Sequence, residues 1–281
     1  MTRIALLGAG GKMGCRIADN MKDRPEYDMA YVEISPQGVA NLAQRGLATT
    51  PQDEALAQAE AVILAVPDAL IGKITHEIVD QLKPGAMVIG LDPAAAYAGV
   101  LPRREDITYF VTHPCHPPLF GDETDPKAMT DWFGGVHARQ HIVCALYQGP
   151  EEDYAKGEAI ARAIYAPVMN AYRITVEQMA ILEPALVETL SATCITIIKE
   201  GLDEAVRMGV PEEAARAFLL GHIRIGLAII FGFAGFPFSD GAKLAIAKAK
   251  DRIFRPDWKE NVMHIENVRK SVAEITGSAG G

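Results

Sequence analysis

The sequence predicts an α/β protein in two parts, a doubly wound parallel sheet over residues 1–150 and an all-helical domain over residues 151–281. Three observations predict it. Short apolar runs alternate with helix-like stretches through the first half. A glycine-rich turn joins the first run to the first helical pattern. After Gln148-Gly149-Pro150 strand-like runs nearly vanish and long helical patterns take over. Strand–helix–strand alternation calls for parallel strands with right-handed crossovers, and 281 residues suit about two domains of roughly 150 residues each.

Residues 3–7, 29–32, 61–66, 86–91, 107–112 and 141–145 are the expected strands. Most are continuous apolar runs, the pattern of strands covered on both faces. Helices are expected at residues 13–23, 37–44, 71–81 and 102–104. In the second half one helix runs from about Val176 to Met208 and stops at Gly209, with Pro211 just beyond. Another opens at Pro211-Glu212-Glu213, and others follow Asp240 and Asp257. The low-complexity tail, residues 277–281, is expected to be disordered. Residues 225–238 carry no charge, a run of fourteen. It is too short to span a bilayer, so it belongs in a core or a subunit interface. Exposed, it would be an association patch, which makes a homodimer the expected state and a membrane an unexpected partner.

A net charge of -9 argues against a nucleic-acid surface, because phosphate contacts need clustered Lys and Arg. The four cysteines, Cys15, Cys115, Cys144 and Cys194, form no C-x-x-C pair. With a strand-like run opening the chain directly, reduced thiols and a cytoplasmic location are expected.

The first run leads into Gly8-Ala9-Gly10-Gly11-Lys12-Met13-Gly14 and then a helix. In such a turn one glycine permits the tight bend, one lets the backbone approach a pyrophosphate, and one lets helix pack on strand. The phosphates then sit at the helix N-terminus, where free N–H groups and the dipole favour an anion. Context, strand before and helix after, makes this a Rossmann-type dinucleotide site, although an extra residue precedes Gly14. Glu33 closes the second strand at the place of an acid that binds ribose hydroxyls and repels a 2′-phosphate, so NAD is the expected cofactor. Val66, Pro67 and Asp68 end the third strand and line the same crevice.

The glycine loop with Met13-Gly14, the Ala65-Val66-Pro67-Asp68 strand end and the helical second half resemble the 6-phosphogluconate and 3-hydroxyacid dehydrogenase superfamily. The His113-Pro114-Cys115-His116-Pro117-Pro118 loop and Glu183-Pro184-Ala185-Leu186-Val187-Glu188 resemble one branch of it more closely. That branch, the D-apionate oxidoisomerases, has a phosphogluconate-dehydrogenase-like C-terminal domain. The resemblance implies NAD-dependent oxidation of a polyhydroxy acid at its 2-hydroxyl, followed by an α-ketol shift. Simple 3-hydroxyacid dehydrogenases place a catalytic Lys, and an Asn four residues later, on the first long helix of the second domain. Counted back from Gly209, those positions are Pro184 and Glu188, so the Lys is missing.

Without it a histidine or a metal-bound alkoxide has to serve the hydroxyl proton. His113 and His116 stand at a strand end facing the crevice and are the candidate bases, with Glu188 beside them. His116, Glu188 and Glu183 are candidate ligands for a divalent ion, zinc or magnesium. Glu183 and Glu188 lie five residues apart, about 140° around an α-helix, so both reach one ion only on a distorted helix. Glu183-Pro184 is alternatively a helix start. Arg224, Ser239 and Lys243 are candidates for holding the substrate carboxylate; Ser239 or Asp240 reads equally as a helix cap. A plain hydroxyacid dehydrogenase and a non-enzymatic NAD-binding redox sensor remain as alternatives.

Overall fold

The computed structural model describes residues 1–277; the remainder of the predicted tail lies outside the described residues. Two compact units form, Met1–Leu182 together with the C-terminal segment from Arg269 onward, and Glu183–Val268.

In chain order the first unit contains β1 (Thr2–Leu7), α1 (Lys12–Met21), β2 (Tyr27–Val32), α2 (Pro36–Ala43), α3 (Gln52–Gln58), β3 (Ala61–Leu64), α4 (Asp68–Ile78), β4 (Met87–Gly90), α5 (Ala94–Tyr97), β5 (Thr108–Pro114), α6 (Pro126–Met129), β6 (Gln140–Gln148), α7 (Asp153–Ile164), β7 (Val168–Arg173) and α8 (Val176–Ala180). The strands form one seven-stranded sheet in the order β2-β1-β3-β4-β5-β6-β7. The order reverses between β1 and β3, and ligands of open α/β sheets bind at such a switch point, outside the carboxyl ends of the strands. Alternate strand residues feed two cores. Ile4, Leu6, Ile63, Ile89 and Phe110 pack with Ile17, Met21 and Ile160 on one face. Ala5, Leu7, Val62, Leu64 and Val88 pack with Leu56, Ile71 and Ile78 on the other. Both faces are buried, which is why these strands read as unbroken apolar runs.

Three features differ from the expected elements. The sheet is not wholly parallel: β6 runs antiparallel to β5. The segment between them is fastened to α1, through Arg16 to Asp131 at 3.1 Å and Asn20 to the Gly135 carbonyl at 2.7 Å, instead of crossing a face of the sheet. The sheet also continues past residue 150, because α7 returns the chain to β7, paired parallel with β6; the first unit therefore extends to Leu182. β7 is an edge strand whose residues are mostly exposed, so it lacks an apolar run. Finally, residues 102–104 form no helix. Pro102 accepts a hydrogen bond from the Tyr109 hydroxyl at 2.7 Å, and Arg104 reaches the Leu82 carbonyl at 2.9 Å.

A π-helical stretch, Ile181–Ala192, follows α8. Then come α9 (Thr193–Arg207), α10 (Glu212–Ile230), α11 (Asp240–Ile253), α12 (Trp258–Met263) and α13 (Ile265–Ile275). Pro184 lies inside the π stretch. Proline has no N–H to donate, and its ring crowds the carbonyl four residues back; widening the turn to i→i+5 bonding relieves both. Thr189 Oγ1 donates to the Pro184 carbonyl, also five residues away, at 2.6 Å. In the second unit α9 buries only Leu202, and α10 and α11 bury no residue. The apolar run at 225–238 is thus not core: α10 ends at Ile230, and Phe231, Phe233 and Phe236 are exposed. The run Val176–Arg207 is long and apolar enough, by length and composition, to cross a membrane, but it carries Glu177, Glu183 and Glu188 in its first half.

Candidate active site

The crevice at the switch point begins with the turn after β1. Gly8 has φ +74°, and a Cβ there would stand 2.3 Å from the Ala65 carbonyl oxygen. Only glycine meets both demands. A Cβ on Gly14 would stand 2.1 Å from the Gly8 carbonyl oxygen, so α1 packs against its own entry turn. Gly10 is held from three sides. Its N–H donates to Glu33 Oε2 at 2.9 Å, and its carbonyl accepts from Asn41 Nδ2 at 2.9 Å and from Cys15 Sγ at 3.4 Å.

Glu33 ties this loop to the end of β2. Its Oε1 accepts from the N–H groups of Ile34 and Ser35 at 2.9 and 2.8 Å. Burial alone would raise the carboxyl pKa. The N–H groups of Ser35, Gly10 and Ile34 and the Ser35 hydroxyl outweigh it and hold Glu33 below the usual carboxylate range. An ionised carboxylate has about four acceptor positions; three are taken by the backbone N–H groups and the fourth by the Ser35 hydroxyl.

A cavity of about 410 Å³ opens beside the loop, lined by Gly8, Gly11, Glu33, Val66 and Pro67 among the residues expected from sequence. Ile34, Gln52, Leu70, Ile74 and Glu77 also line it, and the sequence reading missed them. For Leu70, Ile74 and Glu77 the only signal was the i, i+4, i+7 spacing on α4, which any half-buried helix shows; Ile34 and Gln52 carried none. Asp68 is the first residue of α4. Lys12 and Met13 turn the other way. Lys12 Nζ sits 3.8 Å above the Phe133 ring, and Met13 lines a small pocket with Arg16, His116 and Phe133.

That second contact connects the cofactor loop to the histidines. The β5–β6 loop is organised by Asp131, whose Oδ2 accepts from the N–H groups of Val136, His137 and Ala138 at 3.0, 2.9 and 3.2 Å. His113, next to the last residue of β5, holds the Leu91 carbonyl through Nδ1 at 2.8 Å. His116 holds the Phe133 carbonyl through Nδ1 at 3.0 Å and sets its ring edge-on to Phe133. Its φ of +61° is the one left-handed non-glycine conformation among the described residues. A carbonyl accepts only, so each Nδ1 carries a proton, and in His116 Nε2 is the ring nitrogen left for acid–base work. Cys115 between them is exposed, whereas burial pushes the Cys144 thiol up to about 11.

The remaining expected residues belong to the second unit. On a π-helix, residues five apart stand one turn apart, so Glu183 and Glu188 share a side; the distortion that a joint role required is present. No group of three or more His, Cys, Asp or Glu side chains is gathered for a metal ion among the described residues. Two carboxylates suit a hard cation that takes its other ligands from water and substrate oxygens. Arg224 is exposed on α10 and makes no ion pair among the described residues. Ser239 Oγ caps α11 by accepting from the Ala242 N–H at 3.3 Å, and Lys243 pairs with Asp240 at 3.3 Å.

Residues 121–276 match the family described as phosphogluconate dehydrogenase (decarboxylating), C-terminal. Residues 3–92 match NADP oxidoreductase, coenzyme F420-dependent. The D-apionate oxidoisomerase of Rhizobium rhizogenes is 53% identical over 277 residues, covering 98% of this chain and all of that protein. The chain belongs to the D-apionate oxidoisomerase family. A family member from Blautia hydrogenotrophica is 45% identical over 92% of this chain and 91% of its own. Among solved structures, a semialdehyde dehydrogenase NAD-binding protein from Cupriavidus necator, in complex with calcium and NAD, superposes with a TM-score of 0.96. It is 50% identical and covers 98% of this chain and 100% of its own. An archaeal NADH-preferring ketol-acid reductoisomerase, 19% identical with a TM-score of 0.70 over 99% of this chain and 84% of its own, shares the fold.

Proposed function

We propose that the protein oxidises D-apionate with NAD and rearranges the product to 3-oxoisoapionate. The observation that carries this reading is one framework in the first unit. The first turn of α1 shapes the phosphate-binding loop on one side, and through Lys12, Met13 and Arg16 it holds the His116 loop on the other. One element would thereby position both cofactor and base.

In the oxidation, hydride leaves C2 of the substrate for the nicotinamide ring, and the 2-hydroxyl proton passes to the free Nε2 of His116, with His113 the second candidate. In the shift, the C3 hydroxyl loses its proton and a hydroxymethyl group moves with its bonding pair from C3 to C2. C3 becomes the ketone and the C2 oxygen takes up a proton; no further oxidant is needed. Glu183 and Glu188 would hold a divalent cation, which supplies Lewis acidity to the ketone oxygen. Arg224, as a planar fork, is the group of this chain suited to the substrate carboxylate.

The test is NADH formation from NAD and D-apionate, with product structure by NMR, on native enzyme and on His116→Ala, each with chelator and with restored magnesium or calcium. The expected result is a rearranged 3-oxo product whose formation needs the cation, and a loss of about 10²–10⁴ in kcat for the variant with NAD binding retained. An unrearranged 2-oxo acid would reduce the protein to a plain dehydrogenase. No turnover, with NAD bound, would remove the substrate assignment.

A further inference from the structure

The cavity beside the glycine loop extends beyond what phosphates and ribose require. Besides Gly8, Gly11, Glu33 and Ser35, its lining includes Ile34, Gln52 and one face of α4. On that face Leu70, Ile74 and Glu77 recur at i, i+4 and i+7, a strip about 10 Å long at 1.5 Å per residue. Two aliphatic side chains are followed by a carboxylate. Ile34, 91% exposed, lines the same cavity. With phosphates at the glycines and ribose at Glu33, the base is the next group outward. Ile34, Leu70 and Ile74 offer it apolar walls, and Glu77 meets its rim.

We propose that Glu77 reads the 6-position of the cofactor base and selects an amino group over a carbonyl; this rests on the NAD reading. Adenine presents an N–H₂ donor there, and a carboxylate only accepts. A base with a 6-carbonyl would set acceptor against acceptor. Apart from Glu33, the other polar side chains lining the cavity do not discriminate. The Gln52 amide both donates and accepts and serves either base. Ser35 Oγ accepts from the Gly38 N–H at 3.0 Å and its hydroxyl is engaged by Glu33. No Lys or Arg lines the cavity, and the Lys73–Glu77 pair, 3.9 Å apart with both side chains well exposed, is too weak to hold Glu77 away.

The experiment is calorimetric titration of native protein, Glu77→Gln and Glu77→Ala with NAD and with nicotinamide hypoxanthine dinucleotide. Native protein should bind NAD about fivefold to tenfold more tightly than the hypoxanthine analogue. Glu77→Gln, whose amide can donate to the carbonyl, should bring the ratio close to one by tightening the analogue. Glu77→Ala should bring it close to one by weakening NAD. A native ratio near one, or a ratio that neither substitution moves, overturns the inference and leaves NAD as cofactor. Failure of native protein to bind NAD at all overturns both.

Discussion

Glu33 shows how one side chain sets loop geometry, and on the NAD reading the same carboxylate is what would exclude a 2′-phosphate. Its carboxylate accepts from Gly10, Ile34 and Ser35, so it holds the phosphate loop before any cofactor arrives. Glu33→Gln forfeits part of this charge-assisted bonding, about 1.5–3 kcal/mol. The KM for NAD should then rise about tenfold to a hundredfold, and discrimination against NADP should shrink. The pH dependence follows from the lowered carboxyl pKa. A group depressed on folding stabilises the native state above its unfolded value, about 4.3, and that contribution is lost as pH falls through the lower folded value. Native protein should therefore melt above Glu33→Gln at pH 6–7, and the gap should close on acidification below about pH 4; a gap that persists in acid would show that the carboxylate is not what holds the loop. The glycines and Glu33 were legible in the sequence because steric necessity and strand position mark them. Asn41, Gln52 and Glu77 were not, because a polar residue at a surface helix looks the same whether it faces solvent or a cofactor.

At the scale of elements, the alternation of strand and helix was legible up to β6, since strands buried on both faces leave unbroken apolar runs. β7 escaped because an edge strand needs no such run. The π-helix escaped for a different reason. Hydrophobic spacing does not separate an i+4 from an i+5 turn, and Pro184 reads as naturally as the first residue of a helix as the widened interior one it proves to be. The distinction matters for chemistry, because an α-helix would send Glu183 and Glu188 about 140° apart. Pro184→Ala restores an N–H and removes the ring clash, which favours closure to an α-helix. The variant should be at least as stable as native protein, an interior proline costing about 3 kcal/mol. Yet it should need about tenfold or more cation for half-maximal turnover if the two carboxylates hold the ion together. Calorimetric melting and a magnesium titration of turnover separate the two effects. Equal cation dependence in both proteins would remove Glu183 and Glu188 as a joint ligand pair.

For the molecule as a whole, the second unit is the informative part. A lone chain should not leave Phe218 at 69%, Ile230 at 65% and Phe231 at 67% exposure on one helix and its exit turn, with α11 adding Leu244, Ile246 and Ile253. Contiguous apolar surface beyond a few hundred Å² marks an association face, and each such side chain taken out of water contributes about 1.5–3 kcal/mol. The occupant we expect is a second copy of this chain. A membrane fits less well, because α10 opens with Glu212 and Glu213 and carries Arg216, His222 and Arg224 along its length. A homodimer would cover the apolar residues and leave these charges for its rim or for substrate. Light scattering should give twice the chain mass of 30.3 kDa, independent of dilution through the micromolar range. Ile230→Glu places a carboxylate in the buried patch, and an unpaired charge there is too costly to desolvate. That variant should run as a monomer or aggregate while still binding NAD, since the dinucleotide cavity is built entirely from the first unit. A native chain that stays monomeric and monodisperse at high concentration would mean that something other than a second copy covers α10.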